Sequence, residues 1–181
     1  MCKTNSSETT EDVDLLPMLW VIANSYKACF EECVNIETNS EICNFIPIVT
    51  NGNFAIELYL KFIKGYEQIE KSFKQTFSIR KTHNLYKLFC SLNGKTRNKL
   101  IEALQKNNVQ QNDFITYLKN NGEDFVAWRY PLRNSATADL NILSQMIDVL
   151  YEYCKLIING QNNMSKISLD KIGGYSIKIT L

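Results

Sequence analysis

This sequence predicts an all-α fold, a helical bundle with a short C-terminal β hairpin or strand, and three observations support that prediction. Only three prolines and seven glycines interrupt 181 residues. Between them, apolar side chains recur at steps of three and four, the spacing that keeps one face of a helix apolar. The final residues follow a different rule: Tyr175, Ile177, Ile179 and Leu181 alternate with Gly174, Ser176, Lys178 and Thr180, the period of a half-buried strand.

Leu19, Ile22, Tyr26, Cys29, Cys33 and Ile36 share one stripe of a first long helix, with Pro17 in its first turn, where a missing N–H costs nothing. Cys29 and Cys33, four apart, read as buried thiols that act as small apolar residues. A break over Glu37 to Asn44 leads to a second helix that starts between Pro47 and Asn53 and runs to about Phe73, with Gly65 inside it. Thr82 is placed to cap a short helix with the apolar face Leu85, Leu88, Phe89 and Leu92, which Asn93-Gly94 would end. Leu100, Ile101 and Leu104 mark another short helix. Phe114, Ile115, Tyr117 and Leu118 mark a further turn or two before Asn121-Gly122. Pro131 disfavours helical angles at Tyr130, so the segment around Trp128 is expected to be irregular. From about Ser135 a last long helix carries Leu140, Leu143, Ile147, Leu150, Cys154 and Ile157 at alternating steps of three and four, a pattern suited to bundle packing. Ile167 and Leu169 supply an opposing strand for the tail, and two strands alone need a surface to lie on.

One domain is expected at this length, divided into a flexible N-terminus (residues 1–14), a bundle (15–158) and a tail able to form a β hairpin (159–181). A formal net charge of +1, with 22% charged and 45% hydrophobic residues, fits a globular chain and excludes a polybasic nucleic-acid arm. A local cluster of cations can still serve phosphate contacts. The polar, acidic start lacks the pattern of a secretory signal, and the apolar runs are short for a membrane span, so the expected location is cytoplasmic with no membrane partner. Six cysteines without CxxC spacing and a single histidine do not assemble the usual zinc ligand sets, and no glycine-rich phosphate loop is present, so no cofactor is expected.

Three places hold residues able to do chemistry. From Asn53 to Lys64 only Asn53, Glu57, Lys61 and Lys64 interrupt an apolar helix. That line is either a solvated stripe with a Glu57–Lys61 pair or one side of a site. His83 sits beside the first turn of the short helix, where the helix dipole favours the neutral imidazole as a proton or hydrogen-bond acceptor; Arg80 and Lys81 add positive charge beside it. Trp128 to Arg133, WRYPLR, places two arginines and two aromatics on an irregular connection that suits stacking a base or holding a phosphate. The same residues suit a structural use, with Trp128 and Tyr130 sealing the bundle and Arg129 neutralising Glu57.

The order NFAIELYLKFI, THNLYKLF, FVAWRYPL and a last long helix resembles the HEPN superfamily of prokaryotic helical-bundle proteins. The likeness is closest to members with an N-x-A-x-E-L-x-L-K helix, an H-x-L helix start and an F-x-x-x-R-Y segment, and it covers Pro47 to Ile158. It implies an up-and-down bundle, commonly a homodimer, in a superfamily tied to RNA cleavage, toxin–antitoxin pairs, phage defence and nucleotide-linked modules. It also implies that Asn53, Glu57, Lys61, His83, Arg129 and Tyr130 converge. Many HEPN ribonucleases pair an arginine and a histidine near the last helix. Here the chain contains neither residue after Arg133. The resemblance therefore implies a binding or regulatory module with RNA or nucleotide contact. Two alternatives stand beside it: a non-standard ribonuclease with His83 as base and Arg80 or Arg129 on the phosphate, and a structural partner of a nucleotidyltransferase or toxin-like protein.

Overall fold

The structure, a computed structural model, describes residues 10–12, 15–39, 45–72, 76–78, 82–121 and 138–160. Among these residues it is a helical bundle. Helix α1 spans Leu15–Asn39, α2 Phe45–Ser72, α3 Leu85–Ser91, α4 Gly94–Lys106, α5 Gln111–Asn120 and α6 Leu140–Gly160. The C-terminal strand pattern at residues 161–181, like the irregular segment at 122–137, lies outside the described residues. Two short strands, β1 (Thr10–Asp12) and β2 (Thr76–Ser78), pair antiparallel with Glu11 opposite Phe77. Neither was expected, because three-residue strands are too short to show a period and β1 falls in the acidic N-terminus assigned to flexible chain.

Several helix limits differ from expectation for local reasons. Helix α1 continues through Glu37 to Asn39, past the expected break. Its buried stripe is Leu16, Ala23 and Phe30, flanked by half-buried Trp20 and Val34, which leaves Ile22, Cys29 and Ile36 exposed. The apolar surface of α1 is thus wider than its core face, and the expected stripe straddled the edge. Helix α2 begins at Phe45, so Pro47 lies within the first turn, where backbone N–H groups have no helical acceptor anyway. The cap of α3 is Asn84, whose side chain accepts from Lys87 N at 2.7 Å, while Thr82 Oγ1 accepts from Asn84 N. Asn93 starts α4 rather than ending α3, accepting from Thr96 N at 2.8 Å. Asp139 caps α6 through the N–H groups of Asn141 and Ile142. Asx side chains can serve either helix end, which is why the sequence alone misassigned Asn93-Gly94.

The pairing of residues fixes the packing. Trp20 meets Phe62, Tyr26 stacks on Phe54 and Asn51 reaches Cys33, so α1 and α2 run antiparallel. Trp20 also stacks on Tyr151 and Lys27 faces Asp148, so α6 runs antiparallel to α1. Helix α2 is the centre of the bundle: Ile56, Tyr59, Leu60, Phe62 and Ile63 are each 2% exposed or less. Leu60 of α2, Phe89 of α3, Leu100 and Leu104 of α4, Phe114 and Leu118 of α5, and Met146 and Leu150 of α6 line one apolar pocket, so five helices share this part of the core. Burying such side chains contributes about 1.5–3 kcal/mol each.

Candidate functional site

The polar line of α2 is covered on the bundle side. Its residues Asn53, Glu57, Lys61, Lys64 and Glu67 follow steps of four and three, so they share one face of a helix whose other faces are buried in apolar contacts. Asn53 and Glu57 are themselves buried, at 5% and 4% exposed. Such groups are costly to bury unless each polar atom finds a partner.

Each of the five finds a partner, and most of those partners lie on other elements. Asn53 Oδ1 accepts from the Tyr117 hydroxyl of α5 at 3.0 Å. Glu57 accepts from Lys61 Nζ at 2.6 Å, and both of its carboxylate oxygens lie 3.1 Å from His83 Nδ1, just before α3. Lys64 Nζ donates to the Ser91 carbonyl at the end of α3 and pairs with Glu67 at 3.6 Å. Glu67 in turn accepts from Asn93 N, at the start of α4, at 3.0 and 3.1 Å. From Asn53 to Glu67, one helix face thus clasps α5, then α3, then the start of α4.

Within that clasp the Glu57–His83 pair has its own geometry. The carboxylate is 5% exposed at its side chain, whereas the imidazole is 64% exposed. A carboxylate offers only acceptors, so the Nδ1 facing it carries the hydrogen. In the neutral ring this leaves the acceptor lone pair on Nε2 and fixes the plane of the ring. A base whose far nitrogen is oriented by a buried acid is the arrangement that general base catalysis and directional ligand binding both require. Lys61, 11% exposed, compensates the Glu57 charge, so the acid stays buried without needing a ligand.

The structure therefore joins Glu57, Lys61 and His83, and sends Asn53 to a different partner. Arg80, Arg129 and Tyr130 lie outside the described residues. Sequence reasoning placed Lys64 on the polar line but missed its neighbour Glu67, and it missed Tyr117. The continued spacing from Lys61 to Lys64 to Glu67 was the available sign for Glu67; nothing local marks Tyr117, which joins from 64 residues away. Cys29 is exposed and not buried as expected, Cys33 is half-buried, and Cys154 is buried, where desolvation pushes its thiol well up. Among the described residues no group of His, Cys, Asp and Glu is placed to hold a metal ion, and no helix is long and apolar enough to cross a membrane.

No family model matches the chain, and no solved structure matches it. Over 132 residues it is 27% identical to a MATH and LRR domain-containing protein of Plasmodium falciparum, an alignment that takes in 73% of this chain. The chain spans about 1% of that protein's length.

Proposed function

We propose that this protein is a HEPN-like helical bundle acting as an RNA- or nucleotide-associated binding or regulatory module, assembled as a homodimer. The observation that carries this reading is the exposed His83 imidazole, oriented through Nδ1 by the buried Glu57 carboxylate. The polar residues beneath it are engaged in holding helices together, which suits a preformed binding surface. The helices that follow His83 add charge: from Leu85 to Asn120 there are six Lys or Arg residues against Glu102 and Asp113. A surplus of cations on consecutive surface helices attracts phosphate backbones while the whole chain stays near neutral. The test is titration of fluorescent single-stranded RNA with the full chain at two salt concentrations. Binding that weakens with salt and falls in Lys87→Glu and His83→Ala supports the reading; equal binding by both variants removes it.

The same pair supports a second reading, a metal-independent ribonuclease in which His83 takes the 2′-hydroxyl proton. A base oriented by an acid is present in Glu57–His83. Cleavage of the same RNA that disappears in His83→Ala would favour this reading. Retained RNA with full binding would leave the binding module. If RNA neither binds nor is cut, the remaining role is that of a structural partner for a nucleotidyltransferase or toxin-like protein.

A further inference from the structure

Among the described residues, Arg97 Nε is the only buried side-chain nitrogen or oxygen without a hydrogen-bond partner. The side chain is half-buried near the start of α4, and no carboxylate among the described residues pairs with its charge. A charge taken partly out of water without a counter-charge costs stability, which a bound anion would recover. Its surroundings suit an anion. Lys119 of α5 places Nζ 5.1 Å over the Tyr86 ring of α3, a contact that orients the ammonium and leaves its charge unneutralised. The Tyr86 hydroxyl shares a hydrogen bond with the exposed Cys90 thiol one turn along α3, and Arg97 is near enough for its charge to act on that phenol. The phenol is raised, first by the Cys90 bond and then by the Cys90 charge, against a smaller lowering by Arg97, so it keeps its hydrogen. With the thiol donating to the phenolic oxygen, that hydrogen is left for a ligand.

The clasp of α2 fixes all three contributing helices. Tyr117, bonded to Asn53, lies two residues before Lys119; Ser91, bonded to Lys64, follows Cys90; Asn93, bonded to Glu67, precedes Arg97 by about one turn. These bonds hold the donors in place without consuming them, which lowers the ordering cost of binding.

We propose that Arg97, Lys119 and the Tyr86 hydroxyl form a binding site for a phosphate monoester, the phosphate of a nucleotide or of an RNA 5′ end. Two unmatched cations favour a dianion, and a monoester carries about two charges at neutral pH, whereas each backbone diester carries one. Arginine supplies a planar fork that matches phosphate oxygens, and lysine adds a point charge. The anion site stands on these residues alone; that its phosphate belongs to a nucleotide or RNA rests on the reading above.

The test is thermal melting of the full chain titrated with inorganic phosphate, adenosine 5′-monophosphate or adenosine at fixed ionic strength, beside Arg97→Met, which keeps an apolar stem. Both phosphates should raise the melting temperature saturably, and adenosine should not. Without phosphate, Arg97→Met should melt no lower than the parent, since it removes an unmatched half-buried charge; with phosphate it should gain nothing. In calorimetric titration, Lys119→Gln should weaken phosphate binding by about tenfold, while Lys155→Gln, the same charge change on α6, should leave it unchanged. RNA with a 5′-phosphate should bind more tightly than the same RNA with a 5′-hydroxyl, a difference that Arg97→Met removes. No melting shift with phosphate, or a shift that survives in Arg97→Met, would overturn the site. Should Arg97→Met melt lower than the parent, Lys119→Gln decides at an exposed residue: undiminished affinity there overturns the site. RNA binding that falls in His83→Ala with no response to phosphate leaves the RNA reading standing and overturns this site. A phosphate response without RNA binding keeps the site and removes RNA as its source.

Discussion

The Tyr117 hydroxyl donates to the Asn53 side-chain oxygen at 3.0 Å, with neither residue more than 5% exposed. This bond joins α2 to α5 inside an apolar layer, and burial pushes the Tyr117 phenol upward, which keeps it protonated as the donor. Tyr117→Phe removes one hydroxyl and leaves Asn53 with a buried acceptor. The expected loss is about 1–3 kcal/mol in urea denaturation. Asn53→Ala should cost a similar amount, and the double variant should cost less than the two losses together. Additive losses would mean that the two side chains do not act as a pair.

Glu57 is a stronger dependency. It is the shared acceptor for Lys61 and His83, and Glu57→Ala leaves the largely buried Lys61 ammonium uncompensated. Breaking a buried pair from one side costs about 3–5 kcal/mol. Replacing both members, Glu57→Leu with Lys61→Met, should recover most of that loss, since buried ion pairs are often replaceable by apolar residues of similar size. His83→Ala, at an exposed side chain, should shift the melting temperature far less than Glu57→Ala. A large collapse on His83→Ala would make the imidazole a structural strut and undercut its use as a ligand group.

These two clasps also show how far the sequence could be read. The helical class, the central place of α2 and the meeting of Glu57 with His83 were legible, because spacing along a helix and the order of motifs carry them. The choice between a wet stripe and a clasp was not legible, since it depends on Tyr117, Ser91 and Asn93 arriving from elements whose placement no local pattern encodes. The outer edge of α1 failed for a related reason. Ile22, Cys29 and Ile36 obey helical spacing as well as the true core residues do, and only the position of the neighbouring helices decides which side is covered. Arg129 and Tyr130, expected to complete the cluster, lie outside the described residues.

Gly52 marks a close approach of α2 to α6. A Cβ built there would lie 2.9 Å from both terminal methyls of Leu143 and 3.0 Å from its Cγ, and Leu143 is fully buried. Glycine inside a helix ordinarily costs up to about 1 kcal/mol relative to alanine, so Gly52→Ala would stabilise an open position. Here the overpacking penalty of about 1–3 kcal/mol should exceed that gain and lower the melting temperature. In a Leu143→Ala background the clash is gone, and Gly52→Ala should become neutral or stabilising. A penalty unchanged by Leu143→Ala would locate the strain elsewhere.

The buried neutral acids give the bundle an alkaline limit. Cys154 is fully buried, and burial pushes its thiol well above the ordinary 9.0. Burial likewise raises the Tyr59 and Tyr117 phenols above 10.0, with Tyr59 donating to Asn24 at 2.8 Å. Below about pH 8 these groups carry the same protons folded and unfolded, and they add no slope. Once pH passes the unfolded values, first for the thiol and then for the phenols, the unfolded chain releases protons that the folded chain retains. Stability then falls with rising pH, by about 1.4 kcal/mol per pH unit for each group engaged. Urea midpoints should hold near neutrality and decline from roughly pH 9 upward. Cys154→Ala should remove the earliest part of the decline while leaving the phenol part above pH 10.0 in place. Midpoints that stay flat to pH 11 in the parent chain would show that these side chains titrate in the folded state, and so are not sealed in the core.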